Sequence, residues 1–120
     1  MAQVQSKKLR VLLCGAVLLN FFDLPGGEIG TVWAATGEML KGIRDLPGVE
    51  ILGTIDDDQT MVGTSPNGWP WTFYILADMP DRDTVVAACN LFRTIDVGEH
   101  RLWRYMRVEA RIGRELVIPE

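Results

Sequence analysis

His100 is the one histidine of the chain, and Trp103 and Tyr105 follow it closely. A histidine near its ordinary pKa moves protons at neutral pH, so His100 is a candidate general acid or base. The alternative is an exposed loop histidine. Tyr74 and Tyr105 each end an apolar ring in a hydroxyl. Such a group needs a partner when buried, and it can hold a substrate carbonyl or stabilise an enolate-like oxyanion. Packing in the core with a hydrogen bond to backbone would account for either tyrosine as well. Trp33, Trp69, Trp71 and Trp103 can wall a flat pocket for a small aromatic ligand, or fill an interface between subunits.

Arginines supply the complementary charge. Arg93 falls near the end of a predicted helix, and Arg101, Arg104, Arg107, Arg111 and Arg114 follow. A guanidinium can clamp a carboxylate in a bidentate fork, as an arylacetate substrate would need, and Arg93 is the candidate anchor. Arg107 and Arg111, alternating with Glu109, also suit ion pairs across strands or between subunits. Asp56-Asp57-Asp58 lacks the glycine and the bidentate glutamate of a calcium loop and reads as a solvated turn. Gly26-Gly27-Glu28-Ile29-Gly30 is either an anion cradle or a flexible loop. Cys14 and Cys89 stand in apolar surroundings without a CxxC pair, which predicts free buried thiols and no structural zinc. No phosphate-binding glycine loop, nucleophile elbow or HExxH motif is present, so a cofactor-free protein is expected.

The elements that must position these residues come in a regular order. Residues 1–8 are polar and predict a flexible arm, with a single domain over 9–120. Leu9 to Leu19 is a nearly continuous apolar run, the pattern of a strand covered on both faces. Residues 23–27 predict a loop. Val32, Ala35, Met39, Leu40, Ile43 and Leu46 recur at helical spacing behind Thr31, a candidate N-cap. Val49 to Ile55 alternates as a strand with Val49, Ile51, Gly53 and Ile55 on one side. Trp69 to Leu76 is aromatic and β-branched, a third strand. Asp81-Arg82-Asp83-Thr84 opens a second helix whose stripe is Val85, Ala88, Cys89 and Phe92. Leu102 to Arg111 alternates again, with Leu102, Met106, Val108, Ala110 and Ile112 on one face, Arg104 being the exception, and Trp103, Tyr105, Arg107, Glu109 and Arg111 on the other. The order β-α-β-β-α-β predicts an α+β, ferredoxin-like domain, an antiparallel sheet with two helices on one face.

Composition bounds the partners. Twelve basic and sixteen acidic residues among 120 give a net charge of −4, a poor balance for tracking a phosphate backbone, so no nucleic-acid partner is expected. The apolar run after Lys7, Lys8 and Arg10 is too short to span a bilayer, and no small-x-small cleavage site follows it. A cytoplasmic protein with no membrane partner is expected. An uncovered sheet face carrying Trp103, Tyr105 and the aromatics of the third strand would be a large apolar patch. A homodimer packed through that open face would cover it.

On this element order and these aromatic strands, residues 9–113 resemble the dimeric α+β barrel superfamily. Its members include antibiotic-biosynthesis-type monooxygenases, muconolactone-isomerase-like proteins and EthD-like proteins. Locally, Gly53-Thr54-Ile55-Asp56-Asp57-Asp58, Trp69-Pro70-Trp71-Thr72-Phe73-Tyr74 and His100-Arg101-Leu102-Trp103 look like small proteins of bacterial indole-3-acetate catabolism clusters. The resemblance implies a homodimeric enzyme of aromatic-compound catabolism. It would act by proton transfer or oxygenation, without a cofactor or with a flavin partner, as a monooxygenase, isomerase or dehydratase. It also implies a set in which Asn20, at the end of the first strand, joins Trp69 or Trp71 and His100. A non-catalytic protein that binds or carries a small aromatic ligand fits the same residues.

Overall fold

The computed structural model describes residues 8–18, 20–21, 24–57 and 71–120. Trp69, Asp58 and residues 1–7 of the expected arm lie outside them. Apolar alternation on both faces makes Leu9–Val17 the strand β1, and it lies centrally in a four-stranded sheet. Helix α1 (Gly26–Asp45) follows, then β2 (Glu50–Asp56), β3 (Phe73–Met79), helix α2 (Arg82–Asn90), a short hairpin of β4 (Asp96–Val97) and β5 (His100–Arg101), and finally β6 (Met106–Gly113). The sheet order is β2-β3-β1-β6, and each neighbouring pair is antiparallel. The protein is thus α+β with an antiparallel sheet and two helices, compatible with a ferredoxin-like fold.

One sheet face is the core. Val11 and Leu13 of β1 and Ile75, Ala77 and Met79 of β3 pack with Val32, Ala35, Met39 and Ile43 of α1 and Val85 and Ala88 of α2. Burying a side chain of this kind contributes about 1.5–3 kcal/mol, so the two helical stripes fix both helices on this face. The opposite face follows from the register. Across it run Arg111, Leu12, Leu76 and Gly53 in one row and Glu109, Cys14, Tyr74 and Ile55 in the next.

Four sequence expectations change. Helix α1 starts at Gly26, not at Thr31. Pro25 stands at the N-cap position with φ −56° and ψ 148°, already set for helix entry, and Gly26 and Gly27 continue it. Thr31 instead donates to the Gly27 carbonyl at 3.4 Å. In β2 the pairing shifts between Ile51 and Gly53, a bulge at Leu52. Ile51 therefore faces the core side with Ala77, while Ile55 joins Tyr74 on the open face. Strand β3 begins at Phe73 and runs on to Met79. Asp78 is tolerated within it because the Arg10 guanidinium, its cross-strand partner, pairs with it at 2.6 Å.

The fourth change is the largest. Leu102–Arg104 form a 3-10 turn, and the last long strand starts only at Met106. Trp103 stands 53% exposed on that turn, and Tyr105 is buried in the core cluster. Neither lies on the open sheet face. Arg107, Glu109 and Arg111 occupy that stretch of the face. The misfit of Arg104 in the alternation marked this break. Past Gly113 the chain leaves the sheet, and Leu116, Val117 and Ile118 are exposed. Helix α2 keeps its expected start: the Asp81 carboxylate accepts from the Thr84 amide at 2.8 Å, a side-chain N-cap. No helix among the described residues is long and apolar enough to cross a membrane.

Candidate functional site: a cleft between the first helix and the sheet edge

Helix α1 packs on the sheet through Val32, Ala35, Thr36, Met39 and Ile43. The residues one step round the helix, Trp33, Gly37, Leu40, Lys41 and Arg44, overhang β2 instead. Their spacing of three and four places them along one side. Below them lie Ile51 and Thr54 of β2 and Phe73 and Ile75 of β3. The space enclosed is a mainly apolar cleft of about 510 Å³, the size of a small-molecule site.

Its walls are held from behind. The Trp33 ring meets Phe21 edge-on, with centroids 5.4 Å apart at 77°. This geometry favours aromatic pairs and fixes the indole at the cleft mouth. The Thr36 hydroxyl is buried, and it donates to the Val32 carbonyl at 2.9 Å, so it carries no unmet demand. Gly37 contributes by what it lacks: a Cβ built there meets no atom within 4 Å. A glycine inside a helix costs about 1 kcal/mol relative to alanine, and here the missing side chain leaves the cleft open.

Tyr74 lines the rim of this cleft. Its hydroxyl donates to Asp57 at 3.3 Å. Burial first, and the Asp57 carboxylate second, push the phenol above its ordinary pKa. Tyr74 therefore stays protonated at neutral pH and can act as a donor, not as a phenolate base.

His100 and Tyr105 are brought together elsewhere, in a smaller hollow of about 260 Å³. The β4–β5 hairpin presents His100 there; Gly98 supplies the positive φ of 58° that the tight turn needs. Glu28, Thr31 and Glu99 share the lining. Two carboxylates at that end of α1 argue against the anion cradle considered for Gly26–Gly30, whose first residues are simply helix.

The other expected residues do not join either site. Asn20 lies past the end of β1, and its side-chain amide donates to the Arg104 carbonyl at 3.0 Å, which ties the segment after that strand to the 102–104 turn. Asn20 and Trp71 line neither of these two spaces, and Trp69, the alternative member of the set implied by the resemblance, lies outside the described residues. Arg93 stacks over Phe92 at 5.9 Å and lines neither cleft. The Arg107 guanidinium sits 5.2 Å over the Trp71 ring on the open sheet face, a cation–π contact. Arg111 reaches Glu109 at 3.0 Å, a pair within β6 and not across strands or between subunits. Cys14 and Cys89 are free thiols, both pushed up in pKa chiefly by burial. Among the described residues no group of three or more His, Cys, Asp or Glu could hold a metal ion.

Sequence reasoning missed Gly37, Leu40, Lys41, Arg44 and Phe73 as site residues. A signal existed: a glycine and two cations run beside Trp33 at helical spacing, next to the buried stripe. No family model, curated protein or solved structure matches the chain. Fold and site define a small α+β protein with a ligand-sized apolar cleft between its first helix and a sheet edge.

Proposed function

We propose that this protein binds a small, flat aromatic ligand in the cleft under α1, within the metabolism of aromatic compounds, and that it works as a homodimer. The carrying observation is the cleft itself, about 510 Å³ walled by Trp33, Leu40, Ile51 and Phe73. Binding or carrying is preferred over catalysis because the acid–base candidates His100 and Tyr105 line a different hollow. Only Tyr74 of the catalytic candidates reaches the cleft, and its phenol is held by Asp57.

Calorimetric titration with arylacetates, indole-3-acetate among them, tests this reading. Wild type and His100→Ala are expected to bind alike, and the ligand is recovered unchanged after incubation. A product formed by wild type and lost with His100→Ala would move the function to the smaller hollow and overturn the binding reading.

The open sheet face supports the dimer. Leu76 and Ile55 stand 37% and 61% exposed on it, a contiguous apolar strip with Leu12. Arg107 and Arg111, with Glu109 between them, leave the β6 side of the strip net positive, and acidic Glu50 and Asp57 stand at the β2 side. A two-fold axis parallel to the strands lays the basic side of one protomer over the acidic side of its partner. Sedimentation is expected to give a dimer for wild type at micromolar concentration and a monomer for the double variant Leu76→Asp, Ile55→Asp. A monomeric wild type would refute the assembly and leave the cleft reading standing.

A further inference from the structure

The cleft is apolar along its length but not electrically symmetric. Lys41 and Arg44 overhang it from α1, near the helix C-terminus, and Asp56 lines it from β2. The chain turns back within 46–49 between α1 and β2. Arg44 and Ile51 therefore lie at the turn end of the cleft, while Trp33 and Asp56 lie at the other. A helical rise of about 1.5 Å per residue puts Trp33 and Lys41 roughly 12 Å apart along the axis. That span fits a two-ring aromatic with a short side chain, given the reach of a lysine.

The two cations are available. Lys41 makes no hydrogen bond or ion pair among the described residues. Arg44 pairs at 3.1 Å with its own neighbour Asp45, and both side chains are more than 60% exposed. An exposed pair of that kind holds its partners weakly and leaves the guanidinium free to turn to a ligand anion. At the far end Asp56 repels an anion and accepts a hydrogen bond from a ring N–H or O–H.

Resting on the ligand-binding reading above, we infer that the cleft selects aromatic acids, with the carboxylate held by Lys41 and Arg44 and the ring against Trp33, Leu40 and Phe73. Charge sets the orientation, and apolar contact supplies the non-specific part of the affinity.

The test uses the full chain and three probes with one ring system: naphthaleneacetic acid, naphthaleneethanol and naphthaleneethylamine. Calorimetry on wild type is expected to rank acid over alcohol by about tenfold and alcohol over amine, with the acid's advantage shrinking as salt rises. In the double variant Lys41→Met, Arg44→Met the acid is expected to fall to within about twofold of the alcohol. The readout is the acid-to-alcohol ratio within each protein, and the fold of the variant should hold because methionine is a good helix former and both positions are exposed. Equal binding of acid and alcohol by wild type, or an acid preference that survives the double variant, overturns the charge selection while the aromatic site stands. Failure of all three probes to bind wild type overturns both readings.

Discussion

Gly37→Leu is expected to abolish measurable ligand binding in the cleft while making the free protein more stable. The two effects have opposite signs because they arise from different parts of the same substitution. Leucine is one of the better helix formers, so replacing a helical glycine gains roughly 0.8–1 kcal/mol of helix propensity. No atom lies within 4 Å of the new Cβ, so the gain is not cancelled by a clash at that atom. The isobutyl group then projects into the space lined by Trp33, Leu40 and Phe73, where the ring of a bound ligand would lie. Affinity for arylacetates should fall at least tenfold, and the urea midpoint should rise. Gly37→Ala should show the same stability gain with a smaller loss of binding. A general folding defect cannot mimic this pattern, since it lowers both quantities. Gly37→Leu protein that binds as tightly as wild type would place the ligand elsewhere.

The element types were legible because periodicity reports burial, and burial here is one-sided for both helices. Val32, Ala35, Met39 and Ile43 repeat at helical spacing and all reach the core. Boundaries failed where the chain bends without a strong signal. Residues 102–106 alternate like a strand at every position but Arg104, yet 102–104 turn, and this moved Trp103 and Tyr105 off the open face and made that face more charged than expected. The bulge at Leu52 exchanged the faces of everything after it in β2, which alternation alone does not reveal. The site was harder still. A cleft is a space between elements, set by how far α1 overhangs β2, and no local pattern in either element records that distance. His100 and Tyr105, chosen because they lie close in sequence, do meet, but around a hollow with two glutamates. The residues that line the larger cleft are a side stripe of α1, where Gly37, Lys41 and Arg44 read as ordinary surface positions.

Gly15→Ala is expected to be among the most damaging single substitutions in the chain. Gly15 lies in the central strand directly opposite Phe73 of β3, and the Phe73 ring covers it. A Cβ at residue 15 would overlap Cζ and both Cε atoms of that ring. Glycine is needed here for close approach, not for an unusual φ, since among the described residues only Gly48 and Gly98 have positive φ. The backbone has little room to yield, because the Gly15 carbonyl accepts from both the amide and the hydroxyl of Thr72, at 2.8 and 3.1 Å. The strain therefore falls on Phe73, whose ring must swing toward the cleft it floors. Overpacking of this kind costs about 1–3 kcal/mol, and here it should also cost ligand affinity. The double variant Gly15→Ala, Phe73→Leu gives the strain somewhere to go. Denaturant titration should show it less destabilised than the sum of the two single variants, with a coupling of about 1 kcal/mol or more. Strict additivity would mean that Phe73 does not rest on Gly15, and the floor of the cleft would then be held by something other than the missing side chain beneath it.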